Sequence, residues 1–286
     1  MNPTVKARAD IDWQYLPSLR TGNPEPYLRA SAQRSARVRR KLECDLFIPY
    51  GKGEREYLDI FPSASPDAPV FIFLHGGYWY VEVVNTQLYS YIAGPFVRAG
   101  ATVVLVEYEL CPTVRVGDIV DNIRRAMVWV YKNIKRYNGN ARDLYVSGHS
   151  AGGHLTAMLA ATDWREYGRI PRSIIKGIAP LSGLFDIEPH RHSSLQPTIR
   201  LSRRETRKLS PMFLPPTFSG SALVAVGENE SDAFHWQSLA YAAHLRQYEI
   251  TAEYLSTSGD HHFSITDRLG RANDSLTRRM LAQMGL

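Results

Sequence analysis

A serine hydroxyl is a weak nucleophile until a neighbouring base takes its proton. Ser150 lies in the run Ser147-Gly148-His149-Ser150-Ala151-Gly152-Gly153-His154-Leu155. The spacing Gly148-x-Ser150-x-Gly152 suits a sharp turn from a strand into a helix. Glycines there let strand and helix approach each other without a Cβ in the way. The start of the helix would aim backbone N–H groups, that of Ala151 first, at a developing oxyanion. On its own the run also fits a plain glycine turn, so the rest of the chemistry must come from other loops.

Three loops carry it. His75-Gly76-Gly77-Tyr78-Trp79 can turn the N–H groups of Gly76 and Gly77 toward the same oxyanion, with His75 as an organiser of the loop and Tyr78 and Trp79 flanking an aromatic substrate. Gly227-Glu228-Asn229-Glu230-Ser231-Asp232 offers a carboxylate to orient a histidine; Glu230 is the first choice, Asp232 the alternative, and Glu228 reads as structural. Gly259-Asp260-His261-His262-Phe263 offers the base, His262, with His261 exposed or supporting. Neither a cysteine nor a third histidine stands at ligand spacing beside this pair, so the reading needs no metal, and no organic cofactor either. His149 is the variable residue of the turn. His154 is expected against the sheet, and His190, His192, His235 and His244 at the surface or in a lid.

The elements that must position these groups alternate. Short apolar runs at 70–74, 101–106, 144–146, 174–181, 221–226 and 251–255 read as buried strands. Helical patterns are expected at 85–99, 116–137, 151–161, 232–247 and 264–284. An opening hairpin (44–50 and 57–61) turns at Gly51-Lys52-Gly53. The alternation predicts an α/β chain with a mostly parallel, doubly wound sheet and helices on both faces. Its reactive loops then follow the C-terminal ends of strands. Residues 1–286 read as a single domain, in which 1–43 form an N-terminal arm, helical over 27–42, and 187–216 form a lid-like insertion covering the site.

The chain has 286 residues, 44% hydrophobic and 22% charged, a balance that supports an ordinary buried core. Its net charge of +6 is concentrated at 29–41 and 200–208. Neither patch carries a nucleic-acid motif, and both read as solvated helix faces. No apolar run reaches the ~20 residues of a membrane span. Two cysteines, Cys44 and Cys111, are too few for a disulfide framework and fit a reducing cytoplasm. The expected partner is a small-molecule substrate, without nucleic acid or membrane; a homodimer is allowed.

Taken together, the motifs resemble the α/β-hydrolases over residues 44–270. Within that superfamily the chain is similar to the arylformamidase (kynurenine formamidase) branch, next to the hormone-sensitive-lipase-like carboxylesterases. The resemblance rests on His75-Gly76-Gly77-Tyr78-Trp79, Gly148 to Leu155, Leu181-Ser182-Gly183-Leu184-Phe185-Asp186 leading to Ser210-Pro211, Val226-Gly227-Glu228, Phe234, Gln237-Ser238 and His262-Phe263. It implies Ser150 as nucleophile, His262 as base and an oxyanion loop at Gly76-Gly77 beside Tyr78. The order serine, acid, histidine is also that of this fold. The sequence departs from the branch where Glu230 holds the place of the usual aspartate, leaving Asp232 as the other candidate. It departs again in the basic, histidine-bearing stretch between Asp186 and Ser210. The activity implied is a serine hydrolase cleaving a small, aromatic amide or ester through an acyl-enzyme, with a short-chain carboxylesterase as the alternative. A binding protein on the same fold is the reading from another class.

Overall fold

Val70 to Leu74 and Val103 to Val106 are apolar without alternation, and both strands are buried along these runs. That pattern belongs to strands covered on both faces. In the computed structural model, which describes residues 3–286, they sit inside one eight-stranded sheet. The strands are β1 (Asp45–Pro49), β2 (Tyr57–Phe61), β3 (Ala68–Leu74), β4 (Thr102–Val106), β5 (Gly139–His149), β6 (Ile175–Leu181), β7 (Ser221–Gly227) and β8 (Ala252–Thr257). Their order is β1-β2-β4-β3-β5-β6-β7-β8. β1, β2 and β4 pair antiparallel, and every pairing from β4 through β3 to β8 is parallel. This is the mostly parallel sheet that the alternation predicts.

The helices are α1 (Pro3–Tyr15), α2 (Ser18–Thr21), α3 (Glu25–Lys41), α4 (Ala93–Ala99), α5 (Val116–Asn133), α6 (Ala151–Ala160), α7 (Gln196–Ile199), α8 (Arg203–Lys208), α9 (Asp232–Arg246) and α10 (Ser275–Gln283). α5 buries Val116, Ile119, Val120, Ile123, Met127 and Val130 on one stripe. Its core also contains α6 and the facing side of the sheet. The other face packs Phe71, Phe73, Phe96, Val103 and Leu105 with Leu276 and Met280 of α10.

Two expected helices are interrupted. Over 85–99 the chain makes separate 3-10 turns, Thr86–Leu88 and Ser90–Ile92, before α4 begins. Pro95 is the reason: it has no N–H for the Tyr91 carbonyl, and its ring would clash there if the α-helix ran back through 91. Over 264–284 a 3-10 segment, Ile265–Gly270, precedes α10. Gly270 lies so close to Tyr91 that a Cβ would come within 2.7 Å of the ring, and Asp274 caps the new helix by accepting from the Leu276 N–H. α1 lies outside the helix expected at 27–42 and carries no apolar stripe, although Ile11 and Tyr15 pack against the core.

The arm, α1 to α3, lies across the C-terminal ends of the strands. Ser231 donates its hydroxyl to the Gln14 carbonyl, and the Ala233 N–H donates to the Gln14 side chain. The Tyr27 hydroxyl pairs with His261 Nε2 at 2.8 Å, and Arg34 pairs with Asp267. No helix of the described residues is long and apolar enough to cross a membrane.

Candidate active site

The sequence places Ser150 between β5 and α6, and the backbone there leaves little choice of residue. Ser150 has φ 57° and ψ −117°, a strained positive-φ conformation that a non-glycine residue adopts only when its surroundings enforce it. A Cβ on Gly148 would meet the Gly152 carbonyl at 2.3 Å, and one on Gly152 would meet the Leu74 carbonyl at 2.0 Å. Both glycines are therefore required by the approach of α6 to β5 and β3. The Ser150 N–H is held by the Leu181 carbonyl at 2.9 Å. Ala151 opens α6, so its N–H has no acceptor within the helix.

Glu230 and His262 meet in the wall beside Ser150. His262 Nδ1 donates to Glu230 Oε2 at 2.6 Å, with both side chains almost fully buried. A carboxylate only accepts, which fixes the proton on Nδ1 and leaves Nε2 as the ring's unprotonated acceptor. Glu230 Oε1 turns back onto the Gly227 N–H at 2.8 Å and accepts the Ser182 hydroxyl as well. The longer Glu side chain makes this return possible while still reaching His262. Asp232, the alternative acid, lies exposed at the first turn of α9 and has no part in the pair. Glu228 instead ties the turn before the histidine, accepting from the Gly259 N–H at 2.7 Å and from Ser258. Behind the pair, Gln14, Pro17, Arg20 and Thr21 of the arm close a space of about 10 Å³, no larger than one water needs.

The third component is the loop after β3. His75 faces the Gly76 carbonyl with Nδ1 (2.7 Å) and Glu107 Oε1 with Nε2 (2.9 Å). Tyr108 stacks on the His75 ring and donates its hydroxyl to the His75 carbonyl. With the carbonyls of residues 75 and 76 tied down on this side, the Gly76–Gly77 backbone lies next to Ser150; a Cβ on Gly76 would sit 3.2 Å from that of Ser150. Burial alone would push the Glu107 carboxyl up, but His75 and Arg55 more than offset it and hold it below the usual carboxylate range.

Known proteins resemble this chain in sequence and in fold. A family model described as the α/β-hydrolase fold matches residues 71–265. The kynurenine formamidase of Danio rerio is 33% identical over 265 residues, covering 90% of this chain and 87% of that protein. That of Drosophila melanogaster is 28% identical over 97% of both chains. The chain belongs to the α/β-hydrolase family. It is an enzyme, a hydrolase. A crystal structure of a protein from Silicibacter sp. TM1040 superposes with a TM-score of 0.82 at 24% identity, over 95% of this chain and 97% of that one. An esterase from Pyrobaculum calidifontis reaches 0.70 at 18% identity, over 99% and 97%; both show a shared fold.

Ser150 and His262 of this hydrolase line one pocket of about 160 Å³, together with Gly77, Tyr78, Val81, Val84 and Phe263. The opposite wall comes from the arm, through Ser18, Pro24 and Leu28. Here the structure corrects two expectations. The segment 187–216, expected to cover the site, contributes nothing to this lining; it packs beside it, anchored by the Arg115–Glu205 pair at 2.7 Å and by Gln237 on the backbone of residues 185 and 186. Trp79, expected to flank the substrate, is wholly buried. Its indole N–H donates to His154 Nδ1 at 3.3 Å, and His154 Nε2 donates to the Leu209 carbonyl at 2.7 Å. Trp79 is too large and too well bonded inside to turn outward, so Tyr78 alone of the two faces the pocket.

His154 therefore joins the loop after β3 to the 187–216 segment at Leu209 instead of packing on the sheet alone. His190, expected at the surface or in a lid, belongs to that segment but is wholly buried, with its ring against Tyr15 and Trp79. Burial pushes His154 down to about 4. The same cause, with His154 nearby, takes His190 to about 3. Ser182, which steadies Glu230, stands in the sequence only as one residue of the run Leu181 to Asp186. Nothing local marks it; its role depends on β6 lying beside β7.

Proposed function

We propose that this hydrolase cleaves a small aryl formamide, the reaction named for its kynurenine formamidase relatives, through an acyl-enzyme on Ser150. The buried 2.6 Å bond from His262 to Glu230, in the wall of the pocket that holds Ser150, carries the reading. In this mechanism His262 Nε2 takes the Ser150 hydroxyl proton as Oγ attacks the formyl carbon. The oxyanion rests on N–H groups of Gly76 or Gly77 and Ala151. Collapse breaks the C–N bond; His262 returns the proton to the departing arylamine and leaves a formyl ester on Ser150. His262 then deprotonates a water that attacks this ester, and formate leaves as Ser150 regains its proton. Glu230 holds the Nδ1–H tautomer and stabilises the imidazolium formed in each half. The apolar wall of Pro24, Leu28, Val81, Val84 and Phe263, with Tyr78, supports an aromatic leaving group.

The direct test is Ser150→Ala assayed on N-formylkynurenine and on p-nitrophenyl acetate. A loss of about a million-fold in kcat is expected on both; turnover retained by the variant would remove Ser150 from the mechanism. A wild-type enzyme that hydrolyses the ester and leaves N-formylkynurenine intact would replace the formamidase reading with that of a carboxylesterase. The 28% identity to the Mycobacterium tuberculosis esterase LipQ over 84% of this chain keeps that second reading in view.

A further inference from the structure

Each ring nitrogen of His75 faces an oxygen that can only accept. Nδ1 lies 2.7 Å from the Gly76 carbonyl, and Nε2 lies 2.9 Å from Glu107 Oε1. A neutral imidazole has one N–H and one lone pair. Either neutral tautomer would therefore set a lone pair against an oxygen at bonding distance, and both side chains are all but excluded from solvent. Glu107 does not supply the missing proton. Its Oε1 already accepts from Arg55 and the Tyr108 N–H, and its Oε2 from the Thr86 N–H, which is the pattern of an ionised carboxylate. Only a ring protonated on both nitrogens donates to both oxygens. The ring also stacks on Tyr108 at 4.3 Å between centroids, with Tyr89 near parallel to it at 6.4 Å. Aromatic faces attract a cation, and burial pushes both phenols up, so neither brings a negative charge of its own.

The peptide that accepts from Nδ1 is the one that joins Gly76 to Gly77. It is trans, so its C=O and its N–H point opposite ways. The C=O is turned to His75, the N–H is turned away from it, and Gly77 lines the pocket with Ser150. No backbone carbonyl of the described residues accepts from the N–H of Gly76 or Gly77. A hydrogen bond to the oxygen of a peptide draws density from its nitrogen and makes its own N–H a stronger donor. The charges fit as well. Arg55 and Glu107 cancel, so an imidazolium at His75 leaves one net positive charge behind the loop. It would balance the oxyanion in a pocket where the His262 cation is already matched by Glu230.

We propose that His75 is a positioning residue held as an imidazolium, which acts through the Gly76 carbonyl to strengthen the Gly77 N–H as an oxyanion donor. This rests on the acyl-enzyme reading of Ser150.

Two measurements test it. In wild-type enzyme with isotope-labelled histidine, nuclear magnetic resonance should show both ring N–H protons of His75 at about pH 8, where a free histidine ring keeps one. Contacts to the stacked Tyr108 ring identify the signals. A single ring proton overturns the proposal before any variant is made. The second measurement uses Glu107→Gln, which keeps the shape and can donate its amide N–H to Nε2. Nδ1–H then stays on Gly76, and only the charge is lost. An aryl trifluoromethyl ketone forms an anionic adduct with a nucleophilic serine, whereas the matching methyl ketone reads ground-state binding. In Glu107→Gln the trifluoromethyl ketone should bind about tenfold more weakly and kcat should fall about tenfold, less than the loss of a whole oxyanion donor. KM and the affinity for the methyl ketone should hold. Both ketones weakened alike would overturn the proposal and give the pair a packing role only. Two ring protons in the wild type with an unchanged ratio of ketone affinities in Glu107→Gln would overturn the effect on the oxyanion. A wild-type enzyme that carries both protons and forms no adduct with the trifluoromethyl ketone sinks the acyl-enzyme reading and leaves the charge on His75 standing.

Discussion

Glu230 and Asp232 are two residues apart, and only one can serve His262. The 2.6 Å bond and the buried position single out Glu230, whereas Asp232 faces solvent. Glu230→Gln keeps the shape and offers an amide where a carboxylate held the Nδ1–H tautomer. We expect kcat to fall by about ten-thousandfold, as when a triad carboxylate becomes an amide, and Asp232→Asn to stay within about twofold of wild type. Steady-state kinetics on a p-nitrophenyl ester decides; the opposite pattern transfers the role to Asp232. The sequence left this pair open because a turn's direction is set by what it packs on. Here Gly227 and Ser182 supply that direction, and Ser182 stands 48 positions away. Trp79 shows the same gap. Its neighbour Tyr78 faces the pocket and Trp79 does not, because His154, 75 positions on, offers the acceptor that the indole N–H needs.

The strands were legible because burial on both faces writes itself into consecutive residues, as in Val70 to Leu74 and in Val103 to Val106. The elbow was legible for a similar reason: Gly148 and Gly152 are forced locally by backbone contacts. What covers the site was not. The 187–216 segment and the arm are both polar, and composition does not tell which of two polar segments reaches a pocket. The structure gives that wall to α2 and the start of α3 with the turn between them. Leu28→Trp should fill part of the pocket of about 160 Å³. KM for a bulky aryl substrate should then rise about tenfold more than KM for an acetate ester of a small alcohol. Equal changes in both would mean that the arm does not shape binding.

Across the whole molecule, buried neutral histidines set the response to acid. His154 and His190 are held at about 4 and about 3, below the ~6.5 of an unfolded chain. A depressed histidine adds stability that is complete above the unfolded value and is lost as pH falls toward the folded one, since the unfolded chain then binds more protons. The melting temperature should therefore drop between about pH 6.5 and 4. Near pH 5 unfolding should take up about two protons at these positions. His190→Phe should lower that uptake by about one, read from the pH dependence of ΔG in calorimetry; an unaltered slope would mean that His190 is charged in the fold. The arm has a consequence in time as well as space. It is synthesised before every strand of the sheet, and the C-terminal half of α3 packs on residues 86–92, yet the groups that hold α1 and the first half of α3, Ser231, Ala233, His261 and Asp267, are among the last to be made. A nascent chain stalled before Glu230 can hold Ser150 on a formed elbow while lacking both partners of the serine and these docking points of the arm. Hydrolytic competence should thus arrive in a single late step of synthesis, which keeps a half-made chain from acting on its substrate.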